Sequence, residues 1–190
     1  MDFNCTFDQS LITLLLPHRP PFLMVDTITF YDGGKTPSLS ARYAVLDRGS
    51  VCSAEEAHDH WPSMYVIEGL GQCCNLMIVI SVLEKNLVQA GLEFNSMGEI
   101  LKRLMNDETD EITKILKSVL IQRLKEKHST IGFVGSAEME ITGYARPGQT
   151  VSYETQLNQA YGSLYYSTVR AYTNNDLIAS GTMVSASRKN

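Results

Sequence analysis

Between residues 64 and 84, apolar side chains fall on nearly every face of a helical wheel, interrupted in the first turns by Glu68, Gln72 and Asn75. A helix that is apolar all round belongs either in a bilayer or in the middle of a folded core. Three hydrogen-bonding side chains in one apolar run are costly in lipid. The run therefore reads as the central helix of a core, and the rest of the chain has to wrap it. Pro62 fits the first turn of such a helix and Ser63 its cap. Gly69 and Gly71 each weaken it by about 1 kcal/mol relative to alanine, so close approach of other backbone is expected there.

The chain supplies enough residues for one wrapping layer. Its 190 residues make one domain by length, and 44% are hydrophobic against 19% charged. A net charge of -5 argues against a nucleic-acid coat, which needs clustered cations. Residues 11–16 are too short to span a membrane, and the first residues lack the basic start of a signal peptide. Neither nucleic acid nor membrane is an expected partner. Cys5, Cys52, Cys73 and Cys74 form no CxxC pair and are too few for a stapled scaffold. Reduced thiols and a cytoplasmic location are expected.

Around the central helix the texture is mostly β. Residues 22–30 and 39–45 read as two strands joined at Asp32-Gly33-Gly34, after a short helix over 11–16 stopped by Pro17. Four more strands are predicted over 131–141, 151–157, 164–172 and 177–185, with Asn174-Asn175-Asp176 closing the last hairpin. Residues 85–130 behave differently. Ile112, Ile115, Leu116, Val119 and Leu120 follow helical spacing, and Ile100, Leu101, Leu104 and Met105 suggest a shorter helix before them. The expectation is a single α+β domain over 1–190, a curved antiparallel sheet wrapped around a central helix, with a helical hairpin inserted at 85–130.

Two motifs flank the first strand pair. One is Leu16-Pro17-His18-Arg19-Pro20-Pro21-Phe22-Leu23-Met24-Val25-Asp26, and the other is Trp61-Pro62-Ser63-Met64-Tyr65-Val66-Ile67-Glu68-Gly69-Leu70-Gly71-Gln72. Together they resemble the L-P-H-R-x-P-x-L-x-x-D and M-P-G-x-x-x-x-E-x-x-x-Q patterns of the 3-hydroxyacyl-acyl-carrier-protein dehydratases of the FabA/FabZ type, which have the hot-dog fold. Arg146-Pro147-Gly148 resembles that family's proline-glycine turn. The resemblance covers roughly 11–84 and 131–187, and the helical insertion has no counterpart in a typical member.

The resemblance implies elimination of water from a 3-hydroxyacyl thioester, giving a 2-enoyl thioester in fatty-acid, polyketide or polyene synthesis. That reaction needs a base for the C2 proton, an acid for the departing C3 hydroxyl and a donor to the thioester oxygen. Glu68, expected in apolar surroundings that favour its protonated form, is the candidate acid. Gln72, one turn on, would orient it, and the helix start at Ser63 and Met64 would receive the thioester oxygen. The family carries its histidine in a G-H-F-P run ahead of the acid. Shortening that loop by four residues aligns Ala57-His58 with the family's Gly-His, making His58 the expected base and His60 the reserve.

The absence of an orthodox G-H-F-P run also resembles a divergent branch, the dehydratase-like subunits of aryl polyene synthesis, which support an active hot-dog partner. A thioesterase on the same fold is a third reading. No metal or redox cofactor is expected for the elimination. The expected partners are an acyl carrier protein with its phosphopantetheine-bound substrate, and a second hot-dog chain in a homodimer or heterodimer.

The remaining candidates have simpler readings. His18 is expected to be structural within its turn, Arg19 to pair with a carboxylate, and His60 to pack beside the helix start. Cys73 and Cys74 read as core, and Tyr153, Tyr161, Tyr165, Tyr166 and Tyr172 as sheet-packing aromatics. Lys114, Lys117, Arg123, Lys125 and Lys127 make the second insertion helix cationic, a surface suited to an acidic carrier protein.

Overall fold

The computed structural model describes residues 2–3, 6–45, 60–106, 108–125 and 133–186. Side chains are described over the same residues except 2–3, 119–125 and 133. In chain order the elements are β1 (Asp2–Phe3), α1 (Gln9–Leu15), β2 (Thr27–Asp32), β3 (Ser38–Ala44) and α2 (Ser63–Gln89). They continue with α3 (Met97–Met105), α4 (Glu111–Lys125), β4 (Phe133–Ile141), β5 (Thr150–Tyr161), β6 (Leu164–Thr173) and β7 (Asp176–Ala186). The strands form one antiparallel sheet in the order β1-β2-β3-β5-β6-β7-β4. With α2 against its inner face, this is the expected hot-dog arrangement.

Alternation decides which side of each strand faces α2. On β5, Val151, Tyr153, Thr155 and Leu157 are buried, and on β6 Ser167, Val169, Ala171 and Thr173. Met183 and Ser185 continue the inner face on β7, and Leu39, Ala41 and Tyr43 on β3. Asn174 and Asn175, both at positive φ, form the two-residue loop between Thr173 and Asp176, as the sequence predicts.

The central helix matches its sequence in kind and runs further. It reaches Gln89, so the inserted helices α3 and α4 begin later than residue 85. It is long and apolar enough to cross a bilayer, yet most of its apolar stretch is buried within the fold. Cys73, Cys74, Leu76, Met77, Ile80 and Leu83 are fully enclosed, which confirms the two adjacent thiols as core. Burial pushes both thiols up from their ordinary pKa, Cys74 to about 11.

Two details of the helix correct the expectation. Ser63 is the first helical residue and not its cap; Pro62 occupies the cap position, with no side-chain cap bond. The start is held instead by Trp61, whose N–H donates to Ala145 O at 2.8 Å and whose ring stacks on Tyr43. At Gly69 it is a side chain that approaches, not backbone. A Cβ there would overlap the hydroxyl of Tyr153, a fully buried ring. At Gly71 the neighbour is a methyl of Val134, 3.0 Å from where a Cβ would stand.

Residues 17–26 depart furthest from the sequence reading. A strand was expected from residue 22, but pairing with β3 begins at Thr27. Ahead of it the chain forms a strap across α2. The bond between Pro20 and Pro21 is cis, and Phe22 N–H donates to Arg19 O at 2.9 Å. Among the described residues Arg19 pairs with no carboxylate; its guanidinium donates to the carbonyls of Thr13, Leu16 and His18, capping the end of α1. Asp26 closes the strap by accepting from Gln9 Nε2 and Ala44 N, each at 2.6 Å.

Two substitutions test this packing. Gly69→Ala should destabilise the fold by about 1–3 kcal/mol in urea unfolding despite alanine's better helix propensity, because enclosed Tyr153 has nowhere to move. Tyr153 Oη is buried without a hydrogen-bond partner among the described residues. Tyr153→Phe should accordingly be neutral or stabilising by the same measurement.

Candidate functional site

Gln72 is the organising residue. Its side chain is 1% exposed and satisfies every demand of a buried amide. Nε2 donates to Phe22 O at 2.7 Å and to Glu68 Oε1 at 2.8 Å, and Oε1 accepts from Met24 N at 2.8 Å. One amide thus ties the strap to α2 and orients a carboxyl one helical turn back. The geometry places the Gln72 amide on the Glu68 carboxyl that the sequence pairs it with.

The same clamp delivers His18. Its Nε2 lies 3.5 Å from Glu68 Oε1, so the strap histidine, expected to be structural, stands against the candidate acid. Burial holds its pKa below the ordinary imidazole value, opposed by the Glu68 charge and aided by Arg19. Nδ1 is buried and has no hydrogen-bond partner among the described residues. The result is an imidazole kept largely neutral, facing a carboxyl through one nitrogen.

Glu68 itself is less enclosed than its sequence surroundings suggest. Its side chain is 44% exposed, and its nearest partners are the Gln72 amide and the His18 ring. The exposure arises on the flank of α2 that carries Met64, Glu68 and Gly71 at helical spacing. Met64 on that flank is 69% exposed, and Phe22 on the strap is 62% exposed. A polar pair ringed by uncovered apolar side chains suits a substrate with a reactive head and an apolar chain.

The other candidates divide. Ser63 and Met64 begin α2, where helix geometry leaves the first backbone N–H groups without intrahelical acceptors. His60 packs on the ring of Tyr144, centroids 3.5 Å apart, with the Arg146 guanidinium 5.2 Å from the same ring. That is the packing role expected of it. His58, the expected base, lies outside the described residues, as does Lys127. On α4, Lys117 donates to Glu108 O, and the side chains of Arg123 and Lys125 also fall outside the description. Among the tyrosines, Tyr153 is buried in the sheet interior, whereas Tyr161 and Tyr166 form an exposed edge-to-face pair.

A hollow of about 800 Å³ lies elsewhere, bordered by Leu92, Phe94, Ile100 and Arg103. Its lining includes none of His18, Glu68 and Gln72, and Arg103 is engaged by Glu99 at 2.6 Å. It is a seam between the insertion and the end of α2. Among the described residues no group of three or more His, Cys, Asp or Glu is placed to hold a metal.

What the sequence missed here is the partnership of His18. The signal was present in the motif itself, where Pro17 and Pro20-Pro21 stiffen a polar turn two residues ahead of Phe22, which Gln72 binds.

No protein-family model and no curated protein matches the chain. Solved structures do match. The dehydratase heterocomplex ApeI:P from Xenorhabdus doucetiae superposes with a TM-score of 0.57 and 10% identity, covering 94% of this chain and 91% of that one. An uncharacterized protein from Pyrococcus horikoshii, PH1136, gives 0.52 with 8% identity over 90% and 88%. Cj0977, a sigma28-regulated virulence protein from Campylobacter jejuni, gives 0.51 with 8% identity over 96% and 90%. Thioesterases match as well, at lower TM-scores. At such identities the likeness establishes the fold alone: an α+β hot-dog.

Proposed function

We propose that the chain acts on an acyl thioester carried on a phosphopantetheine arm, and that its reaction is the loss of water from a 3-hydroxyacyl group. The observation that carries this reading is the imidazole–carboxyl pair, His18 Nε2 and Glu68 Oε1 at 3.5 Å, fixed on α2 by Gln72. His18, held neutral by burial, takes the C2 proton. The electron pair of that C–H bond becomes the C2=C3 bond. The C3 hydroxyl leaves as water with a proton supplied by the Glu68 carboxyl. The first-turn N–H groups of α2, at Ser63 and Met64, receive the charge that builds on the thioester oxygen.

The exposed Met64 and Phe22 support an acyl chain as the apolar portion of the substrate. Among the structures that share the fold, ApeI:P is a dehydratase heterocomplex, which supports a chain that works paired with a second hot-dog chain. The carrier is read as an acyl carrier protein, and the location as cytoplasmic. His58 remains the base proposed from the loop pattern, and His18 the base proposed from geometry.

Incubation of the purified chain with 3-hydroxyacyl carrier protein, followed by mass spectrometry of the loaded carrier, tests the reading. The wild type should convert the substrate, and Glu68→Gln and His18→Asn should each lower the rate by about 10²–10⁴-fold without loss of helical signal. If His58→Ala carries the large loss while His18→Asn does not, the base moves to the loop. Free thiol without enoyl product would identify a thioesterase. A folded wild type inactive alone but required by a partner would identify a supporting subunit.

The same assay has a pH signature. His18 in the folded chain titrates below the free-imidazole value of about 6.5. The rate should therefore hold from neutral pH through that value and fall only below it, as acid protonates Nε2. His18→Asn should remove this acid limb.

A further inference from the structure

Alternation reserves the inner positions of β5, β6 and β7 for apolar side chains, and a row of hydroxyls breaks the pattern. Thr155, Ser167 and Ser185 are all buried. Across β5 and β6, Thr155 pairs with Val169 and Leu157 with Ser167; across β6 and β7, Ser167 pairs with Met183 and Tyr165 with Ser185. The three hydroxyl residues are therefore successive diagonal neighbours, about 7–8 Å apart, in a line that crosses the inner face. One end of the line is open. Ser185 stands directly opposite Val134, which is 42% exposed and lies against Gly71 of α2. From there the line runs inward to Thr155, whose Oγ1 is 3.2 Å from the Cys74 thiol.

Two of these hydroxyls lack what burial demands. Ser185 is 1% exposed, and its Oγ has no hydrogen-bond partner among the described residues. Ser167 Oγ, equally buried, has no nitrogen or oxygen partner among them and lies beside the Cys74 thiol, a weak one. A dry hydroxyl in a core is costly, and alanine would pack there without the cost. The helix lines up with this row. Glu68, Gly71 and Asn75 fall at i, i+3 and i+7, on one flank of α2. Gly71 leaves that flank without a side chain, and Asn75 beyond it is buried. At 1.5 Å per residue, Asn75 lies about 10 Å along the axis from Glu68. An acyl chain with C3 at Glu68 reaches that level after about eight zigzag C–C bonds of about 1.5 Å each, at about C11.

We propose that Ser185, Ser167 and Asn75 bind a hydroxyl or carbonyl oxygen carried by the acyl chain about ten bonds from the thioester carbon, and so select an oxygenated 3-hydroxyacyl thioester over a plain alkyl one. The inference rests on the site proposed at Glu68 and names its substrate class. The chain oxygen gives Ser185 Oγ the partner it lacks, whereas an alkyl chain of equal length leaves it dry. Ordered water on the same hydroxyls is the competing account, and it predicts no such preference.

Pantetheine amides of dodecanoic, 7-hydroxydodecanoic and 11-hydroxydodecanoic acid differ in the chain oxygen alone, and titration calorimetry with the full chain reads their affinities. The wild type should bind the 11-hydroxy amide about tenfold tighter than the plain one, with no gain for the 7-hydroxy amide. Ser185→Ala should lower that preference about threefold or more while leaving affinity for the plain amide unchanged. Asn75→Leu, which keeps the volume, should reverse the preference. No preference in the wild type, an equal gain for the 7-hydroxy amide, or no binding at all overturns the proposal. So does a preference that survives both substitutions, or an equal loss for all three amides, which marks a structural role. The amides have no C3 hydroxyl to lose. A preference without turnover in the dehydration assay therefore keeps this inference and removes the reaction, and turnover without preference does the reverse.

Discussion

The structure depends on how one buried amide is satisfied. Gln72 sits among apolar neighbours in the middle of α2, where an unpaired donor or acceptor costs about 1–3 kcal/mol. Its partners cannot come from the sheet, because the strap crosses the helix before strand pairing begins at Thr27. They come from Phe22 O and Met24 N, polar backbone that would itself be left unpaired without the amide. The need is mutual, so the strap and the helix fix each other's position. The third bond, to Glu68, is where this structural device becomes a chemical one.

Elsewhere the same logic places polar side chains where two elements meet. Tyr31, buried on β2, donates to Glu84 Oε2 at 2.8 Å near the far end of α2, so the helix is tied to the strap at Gln72 and to the sheet at Glu84. Burial, with the Glu84 charge beside it, raises the Tyr31 pKa far above the ordinary phenol range and keeps the donor proton in place. Gly33 belongs to this tie, since a Cβ there would strike the Glu84 carboxyl. Between the two ties Cys73, Leu76, Met77, Ile80 and Leu83 pack without exposed surface. These two polar ties, twelve residues apart, fix the register of a helix that sequence alone leaves free to slide.

The candidate site inherits this rigidity on one side only. His18, Glu68 and Gln72 are held by the strap and the helix, while the flank beyond Glu68 runs along an edge strand with uncovered apolar residues. A water-accessible acid is a poor proton donor to a leaving hydroxyl, because competing solvent screens the charges that have to be controlled. The open flank at Glu68 and the β4 edge meet at Gly71, whose missing side chain lets Val134 lie against the helix.

Much of this was legible from the chain alone. The all-round apolar pattern of 64–84 demanded a wrapped helix, period-two alternation located the later strands, and Asn174-Asn175 announced its turn, since these signals are local. The proline-rich motif and the spacing of Glu68 to Gln72 marked the site for the same reason. The structure alone decided that residues 22–26 leave the sheet to satisfy Gln72, that Arg19 caps a helix, and that His18 meets Glu68. Each of these is a contact between residues distant in sequence, or a choice among hydrogen-bond partners that are locally equivalent. Local pattern specifies what a segment can become; only packing determines which donor reaches which acceptor and which flank of the helix stays open.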